Sequence, residues 1–140
     1  MPLDVTPVDP GLFASLDPPR LAGARCGDCG TVVFPSAASC PKCSSSSMAP
    51  HALPDRGTLW TWTVQGFPPK APYVAPAGGF VPFPVGYVAL GDVLVEAHLL
   101  ADRDELRIGL PLRLTLERVW EADGGEVVTF AFEPDGEEAA

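Results

Sequence analysis

From Gly57 onward the chain alternates apolar and polar positions with a period of two, the pattern of strands that turn one face to a core and the other to water. In Leu59-Trp60-Thr61-Trp62-Thr63-Val64-Gln65 the even positions Trp60, Trp62 and Val64 are apolar, which predicts a half-buried strand with that set as its apolar face. Val85 to Leu90 predicts a second strand, and Gly91-Asp92 a tight hairpin turn. Val93 to Leu100 predicts a third, with Val93, Val95, Ala97 and Leu99 on one face and Leu94, Glu96 and His98 on the other. Ala101 to Ile108 is short, charged and helix-compatible, closed by Gly109. Pro111 opens a fourth strand with Leu112, Leu114, Leu116 and Trp120 toward the core and Arg113, Thr115 and Glu117 outward. Gly124-Gly125 turns into a fifth, with Val128, Phe130 and Phe132 inward and Pro134 as its stop. Five strands with one helical insert between the third and fourth predict a small closed barrel of the OB kind, a fold that removes exposed sheet edges.

Before Gly57 the pattern is different. Met1 to Asp9 is Pro-rich and reads as loose. Asp9-Pro10 predicts a helix start, with Asp9 as N-cap and Pro10 at the first helical position, and Leu12, Phe13 and Leu16 follow on one face. Pro18-Pro19 must end that helix, and so short a helix needs a surface to lie on, its own chain's or a partner's. Thr31 to Pro35 has the β-branched and aromatic bias of a short strand, and Ser44 to Pro50 reads as a linker. Between the first two barrel strands, Phe67 to Pro84 carries six prolines together with Phe67, Lys70, Tyr73, Phe80 and Phe83. Aromatic rings on such a loop either fold back on the barrel or meet a ligand or partner. The expected organisation is an N-terminal arm with a short helix (1–22), a metal ribbon (23–50), a barrel (57–134) and an acidic tail (135–140).

All four cysteines fall in two Cys-x-x-Cys hooks, Cys26-Gly-Asp-Cys29 and Cys40-Pro-Lys-Cys43. Two such hooks can aim four thiolates at one point, as a tetrahedral Zn²⁺ site with Zn–S bonds of about 2.3 Å requires. Gly27, Gly30 and Pro41 suit the tight turns, whereas Ser44 stands where the second hook would favour glycine. Structural zinc is the expectation. An Fe(S-Cys)₄ electron-transfer centre uses similar hooks, and ligand count alone does not separate the two. A disulfide pair is opposed by the reducing cytosol, and a dithiol redox motif by the lack of a βαβ unit around either hook. Four protein ligands leave no position for an activated water, so the site is structural and not catalytic. A ribbon of about 30 residues cannot fold on apolar burial alone and depends on its metal.

Charge narrows the function. The formal net charge is −9: residues through Arg56 carry five acids and four bases, and residues from Gly57 carry thirteen acids and five bases, a net of −8. Phosphate binding draws on Lys and Arg, so this charge argues against the single-stranded nucleic-acid module that a zinc ribbon beside an OB barrel would ordinarily suggest. No apolar run reaches the length of a membrane span and no export pattern opens the chain, so a soluble cytoplasmic protein is expected. His51 stands alone, and the pair Glu96 and His98 reads as neighbours on a solvated strand face. With no nucleophile elbow and no phosphate-cradling loop, no catalytic residue is assigned.

The order of the motifs is more specific than any one of them. Arg25-Cys26-Gly-Asp-Cys29-Gly30, Phe34-Pro35, Cys40-Pro41-Lys42-Cys43, Gly57-Thr58-Leu59-Trp60-Thr61-Trp62-Thr63, Pro84-Val85-Gly86-Tyr87-Val88-Ala89-Leu90 and Leu106-Arg107-Ile108-Gly109 together resemble the acyl-CoA-associated family known as domain of unknown function thirty-five. The resemblance covers nearly the whole chain, up to Pro134. It implies a rubredoxin-like zinc ribbon followed by an OB fold, in a non-catalytic subunit of a hetero-oligomer. The partner it implies is a thiolase-like enzyme, a synthase condensing acyl-CoA units, or a sterol-carrier-type thiolase homologue acting as retro-aldolase on steroid side-chain CoA esters. Some relatives also pair with a hot-dog-fold hydratase. On that reading Leu12, Phe13 and Leu16 would anchor the partner, while Phe67, Lys70, Tyr73, Phe80 and Phe83 would form a wall beside its acyl-CoA tunnel. Ser44 in place of the usual glycine and the unusual proline content of the loop are departures from the family pattern.

Overall fold

The structure is a computed structural model that describes residues 5–70, 78–122 and 125–135, with 120–122 described by backbone alone. The described residues form ten strands: β1 (Val5–Pro7), β2 (Phe13–Leu16), β3 (Pro19–Cys26), β4 (Val32–Val33), β5 (Met48–Ala52), β6 (Arg56–Gln65), β7 (Phe83–Leu90), β8 (Val93–His98), β9 (Pro111–Ala122) and β10 (Gly125–Pro134). No helix among the described residues is long and apolar enough to cross a membrane.

The five expected barrel strands are β6 to β10, in the order β10-β9-β6-β7-β8. Closure comes from a parallel bridge between Leu99 and Phe132, with the Leu100 N–H donating to the Phe132 carbonyl at 2.8 Å. The Gly91-Asp92 hairpin joins Leu90 to Val93, with Gly91 at φ 61°. The insert before β9 is one 3-10 turn, Arg103–Glu105, whose start is secured by the Asp102–Glu105 capping box. Leu59, Val88, Leu90, Val95, Leu99, Leu112 and Phe132 fill the core. Burying some hundreds of Å² of such side chains, at about 25 cal/mol per Å², drives closure.

One face assignment changes. Leu59 pairs with Val88 and Thr61 with Tyr87, so Trp60 is the extra residue of a β-bulge. A bulge shifts the parity of the pleat. Leu59 therefore enters the core at 1% exposure, whereas Trp60 faces solvent at 55% and Trp62 packs partly against the core. Opposite Trp62, Gly86 is required by close approach: a Cβ there would lie 2.5 Å from the Thr61 carbonyl oxygen.

The N-terminal region departs further from expectation. Asp9 does cap a turn, its carboxylate accepting from the Gly11 N–H at 2.9 Å, but only a single 3-10 turn forms, over Pro10–Leu12. The expected helix stops there because Phe13–Leu16 pairs as β2 with β3, gaining cross-strand bonds that a helix of one or two turns could not match. Residues Val5–Pro7, expected to be loose, form β1 and pair in parallel with β10. The expected linker is β5 from Met48, pairing along β3 from Ala22↔Ala52 to Cys26↔Met48 and carrying His51 with it. Asp135, assigned to a solvated tail, is instead mostly covered and lies 3.2 Å from the Arg56 guanidinium. Residues 136–140 lie outside the described residues.

The ribbon sheet, β2-β3-β4 with β5 also on β3, is fastened to the barrel through Phe130. The Phe130 ring meets Phe34 of the ribbon edge-on at 5.8 Å and Phe13 of β2 at 6.5 Å. Such edge-to-face contacts contribute about 0.5–1.5 kcal/mol each beyond burial.

Candidate functional site

Strand β3 delivers Cys26 to the metal site, and the two hooks then build it with the same backbone logic. Cys26 Sγ accepts from the Asp28 and Cys29 N–H groups at 3.4 Å, the Gly30 N–H returns to the Cys26 carbonyl at 2.9 Å, and Thr31 O receives the Cys26 N–H at 2.9 Å. Fourteen residues on, Cys40 Sγ accepts from the Lys42 N–H at 3.4 Å, the Ser44 N–H returns to the Cys40 carbonyl at 2.8 Å, and Ser45 O receives the Cys40 N–H at 2.8 Å. Each knuckle needs a residue of positive φ after its second cysteine. Gly30 supplies φ 79° and Ser44 is driven to φ 67°.

The four sulfurs lie within 4.8 Å of one another. Cys26 to Cys43 and Cys29 to Cys40 are each 3.6 Å apart. That is close to the edge of about 3.8 Å of a ZnS₄ tetrahedron with 2.3 Å bonds, and far beyond the roughly 2.05 Å of a disulfide. The donor set, its spacing and the N–H groups aimed at the sulfurs fit a structural zinc ion, which Cys26, Cys29, Cys40 and Cys43 would hold. Cys26 and Cys40 are buried, while Cys29 and Cys43 are exposed.

The surroundings tune the thiols unequally. The Cys29 N–H brings the Cys26 thiol below its ordinary value despite desolvation. The Thr31 hydroxyl, 3.1 Å from Cys29 Sγ, and the Thr31 N–H bring Cys29 down to about 6. The Ser45 N–H pulls Cys43 down, but the neighbouring sulfurs of Cys26 and Cys29 outweigh it and push Cys43 up to about 12. Crowded thiols that cannot all ionise together are what a cation of charge two relieves. Thr31 and Ser45, whose hydroxyl also donates to Asp28 across the hooks, were not singled out in the sequence. Their matching positions two residues after Cys29 and Cys43 were the available signal.

The structure scatters the other expected residues. Leu12 is half-buried in the 3-10 turn, Leu16 is half-buried in β2, and Phe13 is engaged by the protein's own Phe130. Phe80 and Phe83 fold back as an edge-to-face pair at 6.0 Å, and Phe83 also lies 4.5 Å from the His98 ring. Phe67 projects at 69% exposure, Lys70 is exposed, and Tyr73 lies outside the described residues. His98 bonds Glu117 of β9 at 2.9 Å in place of Glu96.

Two family models match consecutive parts of the chain: the rubredoxin-like zinc ribbon domain of ChsH2 over residues 13–49, and the C-terminal OB-fold domain of ChsH2 over residues 50–117. The chain is 28% identical over 118 residues to a DUF35 domain-containing scaffold protein of Methanocaldococcus jannaschii, covering 80% of this chain and 78% of that one. A DUF35 domain-containing scaffold protein of Pyrococcus furiosus is 24% identical over 115 residues, 81% of this chain and 80% of its own. Benzoylsuccinyl-CoA thiolase subunit BbsA of Thauera aromatica is 28% identical over 116 residues, 81% of this chain and 76% of its own. A solved chain of the Ltp2-ChsH2(DUF35) aldolase has a TM-score of 0.61 at 24% identity, over 82% of this chain and 84% of that one, and so shares the fold.

Proposed function

The chain belongs to the zinc-ribbon/OB-fold family that these two domain models describe, and from that membership we propose that it is an accessory subunit of a thiolase-like or aldolase enzyme, binding the catalytic subunit and supporting its acyl-CoA site. The observation that carries this reading is the match over four fifths of the chain to proteins named as scaffolds and as a thiolase subunit. The metal centre agrees with it. Four cysteine sulfurs complete a tetrahedral shell, so a zinc ion held there stabilises the ribbon and offers no open position to a substrate. On this reading carbon–carbon chemistry on the acyl-CoA belongs to side chains of the partner, and this chain contributes a rigid surface. A partner acting as retro-aldolase on steroid side-chain CoA esters is the finer form of the proposal.

The test is reconstitution. The tagged full chain, purified from its native host, should bring down a subunit identified by mass spectrometry as thiolase-fold. Turnover of an acyl-CoA should appear with the complex and be absent with this chain alone. Turnover by the isolated chain, or recovery of no thiolase-fold subunit, would overturn the reading. Products assayed with steroid side-chain CoA esters and with simple acyl-CoA pairs would separate cleavage from condensation.

A further inference from the structure

The bulge in β6 does more than shift a register. It takes Trp60 off the apolar face where alternation would place it and sets it on the outer face of the barrel, 55% exposed. Trp60 stands edge-on to Tyr87 of β7, with ring centroids 6.4 Å apart and planes at 85°, and Tyr87 is itself 41% exposed. Bulges are a means of re-aiming a side chain. An aromatic pair held this way costs free energy in water and repays it only when covered.

Beside this ridge lies a groove of about 380 Å³ that no single part of the chain could form. The barrel lines it with Tyr87, Leu94 and Glu96, the ribbon with Phe34 and Pro35, and the N-terminal turn with Leu12. Leu94 is 44% exposed at its rim. Glu96 makes no ion pair or hydrogen bond among the described residues, so a carboxylate faces an apolar groove without a cation.

We propose that the Trp60–Tyr87 ridge and this groove are the docking surface for the catalytic subunit, which inserts an apolar side chain between Tyr87 and Phe34 and sets a Lys or Arg against Glu96. This rests on the accessory-subunit reading above. The charge decides the occupant. A second copy pairing through the same face would offer Glu96 a groove lining without Lys or Arg, between two chains of net charge −9, and a phosphate backbone would meet the same negative charge. A partner with an apolar protrusion ringed by basic residues meets neither obstacle. Exposed aromatic residues at the centre of an interface carry most of its affinity, and rim charges set the association rate.

The experiment measures affinity between the full zinc-loaded chain and the thiolase-fold subunit recovered with it, by biolayer interferometry. Trp60→Ser and Leu94→Glu should each weaken binding on the order of 30-fold or more, with zinc content and far-UV circular dichroism unchanged. Glu96→Lys should slow association most strongly at low salt. Unaltered affinity in both Trp60→Ser and Leu94→Glu would overturn the surface while leaving the accessory reading intact. Failure of the unaltered chain to hold any thiolase-fold subunit would remove both. A dimer of this chain that Trp60→Ser dissociates would assign the face to a second copy and overturn the proposal.

Discussion

His98 Nδ1 and Glu117 Oε1 lie 2.9 Å apart, a bond that ties β8 to β9 at the side of the barrel where β8 meets β10. Among the described residues the backbone offers only the Leu99–Phe132 bridge and its flanking bond between β8 and β10, so this side-chain contact reinforces the thinnest part of the wall. Both side chains are about a third exposed, at 36% and 29%, which limits its strength through solvent screening. His98→Ala and Glu117→Gln should each lower unfolding stability by about 1 kcal/mol. Their double variant should reveal a coupling of roughly 0.5–1.5 kcal/mol in urea titrations. Strictly additive effects would show that the two side chains do not act together.

Ser44 occupies a left-handed backbone position that Gly30 fills in the first hook. A side chain there costs about 1 kcal/mol or more. Ser44→Gly should therefore stabilise the zinc-loaded ribbon by about 0.5–1 kcal/mol after the added unfolded-chain entropy is subtracted, and Gly30→Ala should destabilise it by a similar amount. Thermal midpoints at fixed zinc would check both, and a lower midpoint for Ser44→Gly would contradict the backbone argument.

Removal of the metal should reach beyond the ribbon. Cys40→Ser, or chelation of the unaltered chain, should abolish bound zinc and melt β4 and both hooks, since zinc binding to a site of this kind contributes on the order of 10 kcal/mol to folding. Loss of Phe34 from Phe130 should then register in the barrel as faster amide exchange in β10. Protection in β10 that is indifferent to zinc would show that ribbon and barrel are uncoupled.

Zinc binding should expel protons. In the metal-free site Cys43, held up to about 12, keeps its proton at pH 7, while Cys29, brought to about 6, is mostly thiolate. Ligation requires four thiolates, so at least the Cys43 proton leaves, and affinity should rise as pH is raised from 6.5 to 8. Calorimetry in buffers of different ionisation enthalpy would count the protons, and a buffer-independent enthalpy would refute the assignment.

The barrel was legible because its strands bury one face each, which imposes a period of two on Val93 to Leu99 and on Leu112 to Leu116. The zinc hooks were legible because metal geometry leaves few spacings free. What escaped was set by which strands pair, whether distant in sequence, as for β1 and β5, or neighbouring, as for β2. Val5–Pro7 and Met48–Ala52 each contain a proline, which reads locally as loop but is tolerated on an edge strand. Phe13–Leu16 carries apolar residues at a spacing that suits a short helix as well as a strand, and the adjacent β3 decides the matter. At Trp60 the alternation was read correctly and the bulge, invisible in composition, reversed its sense. The choice of Glu117 over Glu96 for His98 likewise follows from barrel closure and not from any local rule.

The grip of Phe13 and Phe34 on Phe130 makes the arm, the ribbon and the barrel three walls of one chamber. A cell short of trace metal would accordingly lose more than a small knot of cysteines. It would hold a polypeptide whose groove between ribbon and barrel had come apart, and, on the accessory-subunit reading, nutrient supply would set how much of the proposed assembly could exist.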